Sequence, residues 1–389
     1  MALLRDYIKI KHGFAFKGTH ISVIDNGIVL VTPGNFAIGG GFKEDKCKFF
    51  DGEYPLDYIL KPDDLIVTMT DLSKTVDTLG YSALVPQSDR IYLHNQRIGL
   101  VIIENEAKLD KHYLYWFMRT PYYQKSISAT SSGSTVHHTS PDRIMDIEIE
   151  LPDLKKQRKV AVFLDNIEAK INVNKQINEN LFQQAVAVFN KFYDTSTNQQ
   201  PFTTLINVLG GGTPKTGNPE FWNGSIPFFT PKDVGTPYTF KTEKYITESG
   251  LKHCNSRLYP QNITFVTARG TVGKISLAGS PMAMNQSCYA LVSEIVDPLL
   301  VYFYVLKAVT SLKHKASGAV FDAIVTRDFD GEMINILSDT DSESALSIIK
   351  PMMEAIHNNS KENMRLSAVR DILLPKLISG EIDVFSLDI

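Results

Sequence analysis

The feature that most constrains this chain of 389 residues is an internal repeat at about half its length. Four matches define the repeat, at offsets that fall from 198 through 190 to 185: VTPGN (31–35) with FTPKD (229–233), LKPDDLIVT (60–68) with LYPQNITFV (258–266), Asn95–Gln96 with Asn285–Gln286, and SSG (131–133) with ASG (316–318). The falling offset indicates one scaffold with loops of unequal length. The sequence therefore predicts two copies of one structural unit.

The last part of each half carries an apolar seam with alternating steps of three and four residues, the heptad pattern of paired helices. The seam residues are Leu164, Ile167, Ile171, Asn174, Asn178 and Leu181 in the first half, and Ile349, Met352, Ile356, Asn359, Asn363 and Leu366 in the second. Long helices need a partner, so we expect the two to pair antiparallel with the four asparagines near the midpoint. Buried asparagines would fix the register of the pair. The alternative is that they lie on a solvated flank.

These patterns predict an α+β protein with two mixed α/β globular domains joined by two long antiparallel helices, related by a pseudo-two-fold axis. We expect the first globular domain at 1–151 and the first long helix at 152–194. A polar linker and the second domain follow at 195–337, and the second helix with a tail occupies 338–389. Pro351, early in the second helix, predicts either a later helix start or a kink.

Signatures of catalysis and metal binding are missing from the sequence. GGGTPK (210–215) and RGTVGKIS (269–276) both fail the spacing of a phosphate-binding loop. The sequence has no Asn-Pro-Pro-aromatic tetrapeptide and no glycine-rich methyl-donor loop of the kind a DNA adenine methyltransferase requires. We therefore expect no catalysis, no metal and no cofactor in this chain. Three separated cysteines, a charged start and the lack of any long apolar run favour the cytoplasm and argue against membrane insertion.

The net charge of −3 argues against a protein that grips nucleic acid by bulk charge, but the charge is unevenly distributed. Residues 155–193 hold 7 basic and 3 acidic side chains, and residues 199–337 hold 12 and 10. Basic and amide side chains gather in Gly/Ser/Thr-rich loops, which suits contacts to phosphates and base edges. Each loop alone is equally typical of a solvated turn, but their recurrence in both halves favours DNA binding.

From these loops we predict DNA contacts by twelve residues. They are Lys17, Lys74, Gln96, Arg97, Ser134 and His137 in the first half, and Lys215, Lys232, Arg269, Lys274, Asn285 and Gln286 in the second. Two similar modules held apart by a helix pair would suit a divided site on duplex DNA.

Several blocks, in this order along the chain, resemble the specificity subunit of type I restriction-modification systems. The join from domain to helix is SSGSTVHHTSPDRIMDIEIELPDLKKQRKVAVFLDNIEAKINVNKQINENL (131–181), and the opening of the second domain is GGGTPKTGNPEFWNGSIPFFTPKDV (210–234). VTARGTVGK (266–274), AMNQSCYAL (283–291) and the VRDILLPKLISGEI end (369–382) complete the match. The blocks are distributed over residues 131–382, a stretch that makes up most of the chain.

The resemblance implies two target recognition domains, each reading one half of a bipartite DNA site, with helices that set the spacing and dock two modification subunits. Those methyltransferase partners would bind S-adenosylmethionine and methylate adenine N6, and restriction subunits would use ATP and Mg²⁺ for translocation and cutting. The chain departs from the family at TMTDLSKTVDTLG (68–80), which is degraded relative to VTARGTVGK, and the second half lacks a counterpart of LPDLKKQRK. The alternative function is a coiled-coil scaffold that does not bind DNA.

Overall fold

The computed structural model describes residues 2–71, 78–133, 136–235, 237–315 and 323–387. The chain forms two compact units, Met1–Ala169 with Leu366–Ile389, and Lys170–Arg365. Each unit thus holds a globular part together with a stretch of both long helices. This division differs from the sequence-based one, which set each helix apart, because a helix packs against the globular part beside it. The predicted α+β class is confirmed.

The first unit contains two main sheets with strand orders β3-β5-β4-β10-β6 and β2-β11-β7-β9. Its strands are β1 (Ala2–Leu3), β2 (Ile8–His12), β3 (Ile21–Ser22), β4 (Ile28–Val31), β5 (Lys48–Phe50), β6 (Ile59–Leu60), β7 (Leu65–Thr68), β8 (Thr70–Asp71), β9 (Ser82–Leu84), β10 (Ile91–His94), β11 (Ile98–Ile103), β12 (His137–His138) and β13 (Glu148–Ile149). Its helices are α1 (Lys111–Phe117), α2 (Pro121–Thr130), α3 (Pro141–Met145) and the first part of α4 (Leu154–Thr195). The apolar run of β7 is buried throughout because both of its faces are covered.

The second unit repeats this plan with sheets β15-β22-β19-β20-β17 and β18-β16-β21. Its strands are β14 (Gln199–Pro201), β15 (Asn207–Gly210), β16 (Trp222–Phe229), β17 (Tyr238–Thr239), β18 (Lys244–Ile246), β19 (Thr264–Thr267), β20 (Ile275–Ala278), β21 (Ala283–Met284), β22 (Cys288–Val292) and β23 (Met333–Asn335). Its helices are α5 (Phe202–Leu205), α6 (Glu248–Lys252), α7 (Pro298–Lys315), α8 (Thr326–Asp330) and most of α9 (Asp339–Ile378). The apolar face of α7 supplies much of its core, including Tyr302, Phe303 and Val305.

Strand registers correct the sequence repeat by one residue. In the first unit Ile98 of β11 pairs with Thr68, and in the second Cys288 of β22 pairs with Thr267. Thr68 is therefore equivalent to Thr267, at an offset of 199. The alignment of LKPDDLIVT with LYPQNITFV, at an offset of 198, is wrong by one residue in strands β7 and β19. The extra residue lies in the turn before β19, where Asn262 has the same left-handed φ, near 69°, as Asp63 has before β7.

The two long helices run from Leu154 to Thr195 and from Asp339 to Ile378, close to the predicted segments. Of the two alternatives for Pro351, the later helix start is wrong, because α9 begins twelve residues before this proline. Ser338 caps α9 by accepting a hydrogen bond from the Asp341 N–H at 3.1 Å, and the early residues Ala345 and Ile349 are fully buried in the core of the second unit. This cap and packing offset the hydrogen bond that Pro351 cannot donate. Within the described residues, none of the helices is long and apolar enough to cross a membrane.

Candidate nucleic-acid interface

A recess of about 350 Å³ in the second unit brings together three of the predicted DNA-contacting residues. Lys232, Arg269 and Asn285 line it, and Lys244 adds a further positive charge. The carboxylate of Glu243 partly offsets these positive charges, because its Oε2 lies 3.5 Å from the Lys232 ammonium. The recess is therefore a positively charged concavity, as a phosphate or a base-edge acceptor requires.

Backbone hydrogen bonds shape the wall of this recess that carries Lys232. Asp233 Oδ2 accepts from the Thr230 N–H at 2.8 Å and from the Thr230 hydroxyl at 2.6 Å. Asp233 Oδ1 accepts from the Glu243 N–H at 2.7 Å. These bonds fix the Asp233 carboxylate in the wall, while the Lys232 side chain is exposed and pairs with Glu243. In the first unit Asn35 Oδ1 bonds Thr32 in the same way, at 2.9 Å from the Thr32 N–H.

The Asn-Gln element forms the same turn in both units. Asn285 Oδ1 accepts from the Ser287 N–H, and Asn95 Oδ1 accepts from the Arg97 N–H, both at 3.0 Å. These asparagines therefore close a turn, which is a structural role that the sequence left open. The glutamines that follow, Gln96 and Gln286, are exposed.

A glycine backs each of these turns. A Cβ on Gly13 would lie 2.1 Å from the carbonyl oxygen of Asn95, and one on Gly211 would lie 2.2 Å from that of Asn285. Only glycine permits such close backbone approach. The sequence pattern alone did not identify these two glycines as anchors of the turns.

The remaining predicted residues of the second unit lie outside the recess. Lys215 is exposed, and its carbonyl oxygen accepts from the Trp222 indole N–H at 3.3 Å. Gln286 Oε1 accepts from the Thr213 hydroxyl. Lys274 is exposed close to Lys313; burial, followed by the charge of Lys274, lowers the pKa of the Lys313 ammonium. Lys274 and Lys313 thus form a separate basic spot.

In the first unit the structure exposes Lys17, Gln96 and Arg97 and leaves His137 half-buried. His137 lies in β12, which pairs with β8, and no hydrogen-bond partner for its buried Nδ1 is found among the described residues. Thr70, the equivalent of Arg269, is buried, and its hydroxyl lies 3.2 Å from His138 Nδ1. The predicted contacts Lys74 and Ser134 lie outside the described residues.

The asparagines of the helix seam meet in the second unit. Asn174 Nδ2 donates to Asn363 Oδ1 at 2.9 Å, and Asn359 Nδ2 donates to Asn178 Oδ1, also at 2.9 Å. Since the partner of Asn178 precedes the partner of Asn174 along α9, the helices run antiparallel, as the sequence predicted. Asn174 is almost fully buried, so the alternative of a solvated flank is wrong for this residue.

Backbone carbonyls and one carboxylate complete this asparagine cluster. Asn363 Nδ2 donates to the Ile171 carbonyl at 3.3 Å, and Asn178 Nδ2 donates to the Ile356 carbonyl at 3.4 Å. Asn174 also donates to Glu362 Oε2 at 2.7 Å, which lowers the pKa of this exposed carboxylate.

The apolar seam residues pack on either side of this cluster within their own units. Leu164 and Ile167 are buried in the first unit, and Ile171, Ile349 and Ile356 are buried in the second. Leu181, Met352 and Leu366 are half-buried. Met353, which the heptad pattern did not select, is fully buried because α9 also packs against the globular part of the second unit.

The segment LPDLKKQRK contains a buried residue that sequence analysis missed. Gln157 Nε2 donates to the carbonyls of Lys108 and Pro152 at 2.8 Å, and its Oε1 accepts from the Asp110 N–H at 2.9 Å. Asp110 in turn caps α1 by accepting from the Tyr113 N–H at 3.0 Å. Gln157 therefore joins the starts of two helices, and the second half has a serine at the equivalent position, 342.

Cys288, which follows the recess residue Ser287, carries a buried thiol. Burial raises the pKa of this thiol to about 12. A thiol with this pKa is not ionised at neutral pH and is a poor nucleophile. Among the described residues, no cluster of three or more His, Cys, Asp or Glu side chains could hold a metal ion.

Comparison with known proteins decides which family this arrangement belongs to. The model of the family "Type I restriction modification DNA specificity domain" matches residues 38–183 and 203–364, which together make up most of the chain. The chain belongs to this family. DNA recognition is the function of the family, and membership does not favour the scaffold alternative.

Curated relatives support the same assignment. The type I restriction enzyme MjaIX specificity subunit of Methanocaldococcus jannaschii is 27% identical over 168 residues, which are 42% of this chain and 39% of that protein. The HindI specificity subunit of Haemophilus influenzae is 21% identical over 354 residues, 68% of this chain and 75% of that protein. The chain thus spans well under half of the first relative and three quarters of the second.

A solved structure shares the fold. The S subunit of a type I restriction-modification system from M. genitalium superposes with a TM-score of 0.62, over 97% of this chain and 95% of that chain, at 13% sequence identity. At this identity the likeness concerns the fold alone. The two chains thus share one fold over almost their whole length.

Proposed function

We propose that this chain is the DNA-recognition subunit of a type I restriction-modification complex, in which each recognition domain reads one half of a bipartite DNA target. The observation that carries the proposal is that both units expose a lysine and a glutamine at equivalent positions. Lys17 and Gln96 in the first unit correspond to Lys215 and Gln286 in the second, beside turns that Gly13 and Gly211 back in the same way. A scaffold protein that does not bind DNA has no need of the same exposed lysine and glutamine in both units.

The residues of the recess in the second unit support two kinds of DNA contact, one to phosphates and one to a base edge. Lysines bind phosphates as point charges, whereas the planar guanidinium of arginine matches the two acceptors on a guanine edge. We assign Lys232 and Lys244 to the phosphate backbone and Arg269 to a base edge. Phosphate contacts position the domain, and the arginine contributes to discrimination between bases.

The outer surface of the helices supports the docking of partner proteins. Val173 and Ile177 of α4, four residues apart on one face, are 48% and 42% exposed. Val369 and Ile372 of α9 form a similar exposed pair. Exposed apolar groups on a charged helix are typical of a protein interface. We assign these faces to two modification subunits, and we assign the helices the role of setting the spacing between the half-sites.

Catalysis belongs to the partners in this proposal. S-adenosylmethionine would bind to the modification subunits, ATP and Mg²⁺ would bind to restriction subunits, and this chain would carry no cofactor. The complex would act in the cytoplasm, where host DNA lies and where free thiols such as those of Cys47 and Cys254 persist.

Sequencing of N6-methyladenine in the host genome, with the gene intact and with the gene deleted, tests the proposal. We expect a bipartite motif with a fixed spacer that is methylated only when the gene is intact. An identical methylation pattern in both strains, with the modification subunits expressed, would show that the chain does not direct modification and would favour the scaffold alternative.

A further inference from the structure

A buried arginine in the first unit connects the globular part to the long helices. Arg119 follows the end of α1, and its side chain is only 3% exposed. Its Nε donates to the Gly39 carbonyl at 2.7 Å and its Nη1 donates to the Tyr115 hydroxyl. The guanidinium also stacks on the Trp116 ring, 4.3 Å from the centroid.

The turn that Arg119 holds is shaped to receive it. Gly40 has a φ of +88°, a left-handed conformation that side-chain-bearing residues rarely adopt. A Cβ on Gly40 would lie 2.6 Å from Cγ of Arg119. The Gly39–Gly41 turn is therefore packed closely against Arg119, and its Gly41 N–H also donates to the Ser82 carbonyl at 2.9 Å.

Both long helices contribute to the other side of the cluster. Glu168 of α4 places Oε2 3.9 Å from Arg119 Nη2 and 2.6 Å from Arg370 Nη1 of α9. A distance of 3.9 Å exceeds a hydrogen bond, so the carboxylate is bound mainly by Arg370 and compensates the charge of Arg119 incompletely. Such a cluster is a poor source of stability, because the desolvation of buried charges offsets their attraction.

The second unit shows that the fold does not need these charges. Asp110 and Asp297 are equivalent at the starts of α1 and α7, because their carbonyls accept from the N–H groups of Leu114 and Val301. This offset of 187 makes Leu306 the equivalent of Arg119, and the offset of 185 makes Met353 and Ala185 the equivalents of Glu168 and Arg370. Met353 and Ala185 are fully buried in the apolar core of the second unit, and Leu306 packs against that core. The same junction is therefore apolar in one unit and ionic in the other.

We propose that Arg119 is a positioning residue that holds the first recognition domain in one orientation on its helices. Apolar contacts tolerate small rotations at little cost. Arg119, in contrast, is fixed within the globular part by Gly39 and Tyr115, and the Trp116 ring beneath it donates its indole N–H to Asp165 Oδ1 of α4 at 2.8 Å. Its guanidinium therefore faces the ion pair of Glu168 and Arg370 on the helices in one arrangement. Because the helices set the spacing between half-sites in the proposed function, on which this inference rests, a fixed orientation would restrict the spacer length that the complex accepts.

The internal repeat supplies the test, in which R119L/E168M/R370A transfers the residues of the second half to the first. Methylation rates of the complex with its modification subunits are compared on targets with the native spacer and with spacers one base pair shorter and longer. We expect an unchanged or raised Tm and a relative rate on the altered spacers that rises at least about tenfold. R119K, which keeps the charge but loses the planar fork, should shift the spacer preference in the same direction.

The spacer preference is a ratio within one preparation, so it does not depend on the fraction of folded protein. A native preference in the triple variant, whatever its Tm, would overturn the inference. A native spacer preference in R119K would also overturn the inference, because it would show that Arg119 acts only through its charge. K376A, which removes the ion pair of Lys376 with Glu381 on the same stretch of α9, is the control and should keep the native preference. If the wild-type complex methylates no bipartite site, the proposed function itself is wrong, and this result is distinct from a failure of the inference about Arg119.

Discussion

Asn174 and Asn363 form a hydrogen bond of 2.9 Å between the two long helices, and the internal repeat maps this bond onto a second one. Addition of 185 to Asn174 gives Asn359, and subtraction of 185 from Asn363 gives Asn178, and these residues are also bonded at 2.9 Å. In this stretch the helix pair therefore has local pseudo-two-fold symmetry. The helix pair is held in register by amides that satisfy one another only in this alignment.

Leucine substitutions measure how much the asparagine pair contributes. N174L leaves the half-buried Oδ1 of Asn363 without its donor, so we expect a loss of about 1–3 kcal/mol in the free energy of unfolding. In N174L/N363L both polar groups are gone and much of this loss is recovered. Urea unfolding of the two single variants and the double variant gives the coupling energy, and additive effects of the two changes would contradict a direct bond.

Removal of the Gln157 side chain should destabilise the first unit. Q157A leaves the carbonyls of Lys108 and Pro152 and the N–H of Asp110 without their partner, at a cost of about 2–4 kcal/mol. Urea unfolding measures this cost. Q183A, in which an exposed glutamine of the same helix loses its bond to Glu179, is the matched control and should stay within about 0.5 kcal/mol of the wild type. Equal effects of the two changes would refute the structural role of Gln157.

His94 should make the protein sensitive to acid. Burial lowers the pKa of His94 to about 4, while its Nε2 lies 2.8 Å from the Ile98 carbonyl. Because the folded pKa lies below the unfolded value of about 6.5, the unfolded chain takes up the proton first as the pH falls. The stability of the neutral imidazole is present above pH 6.5 and is lost as the pH falls towards 4, by at most about 3 kcal/mol.

The variant H94Q isolates this effect. We expect its free energy of unfolding to fall less steeply between pH 6.5 and 4 than that of the wild type, by the equivalent of about one proton. Chemical unfolding at a series of pH values measures the slope. If both proteins show the same slope, His94 does not titrate as its burial requires.

The exposed face of α4 should contribute to the binding of one modification subunit. At the offset of 185, Val173 and Ile177 correspond to Asn358 and Glu362, so the two helices present unlike faces at equivalent positions. V173N/I177E replaces the apolar pair with its polar counterpart. We expect the affinity for one of two modification subunits to fall at least about tenfold. Native mass spectrometry measures the stoichiometry.

The control for this change is N358A, an exposed substitution at the equivalent position of α9. It should leave the stoichiometry at two modification subunits. Two tightly bound subunits on V173N/I177E would show that the partners dock elsewhere.

The sequence predicted best where a pattern repeats. The offset of 185 identified the helix pair and its asparagines because a coiled-coil seam depends on local spacing. The same spacing selected Met352 rather than the fully buried Met353. A heptad pattern reflects packing against the partner helix alone, whereas α9 also packs against the globular part of its unit. Loop insertions produced the one-residue error before β19, which became visible only through strand pairing.

The candidate site could be predicted only in part. The residue types of the loops identified Lys232, Arg269 and Asn285, but no local signal shows that these three share a recess that Lys274 does not join. Arg119 was missed for a similar reason: a charged residue after a short helix is usually exposed. Its burial depends on Gly39, Glu168 and Arg370, which are distant in sequence.

Half-site discrimination by Arg269 tests the central claim most directly. N6-methyladenine is mapped across the genome of a host that carries either the wild-type gene or R269A. The account predicts that one half of the bipartite motif becomes less selective while the other half is unchanged, with a loss of about 1–3 kcal/mol on the cognate site. A uniform loss of methylation at all sites, or equal relaxation of both halves, would contradict the claim that the second domain reads its own half through Arg269.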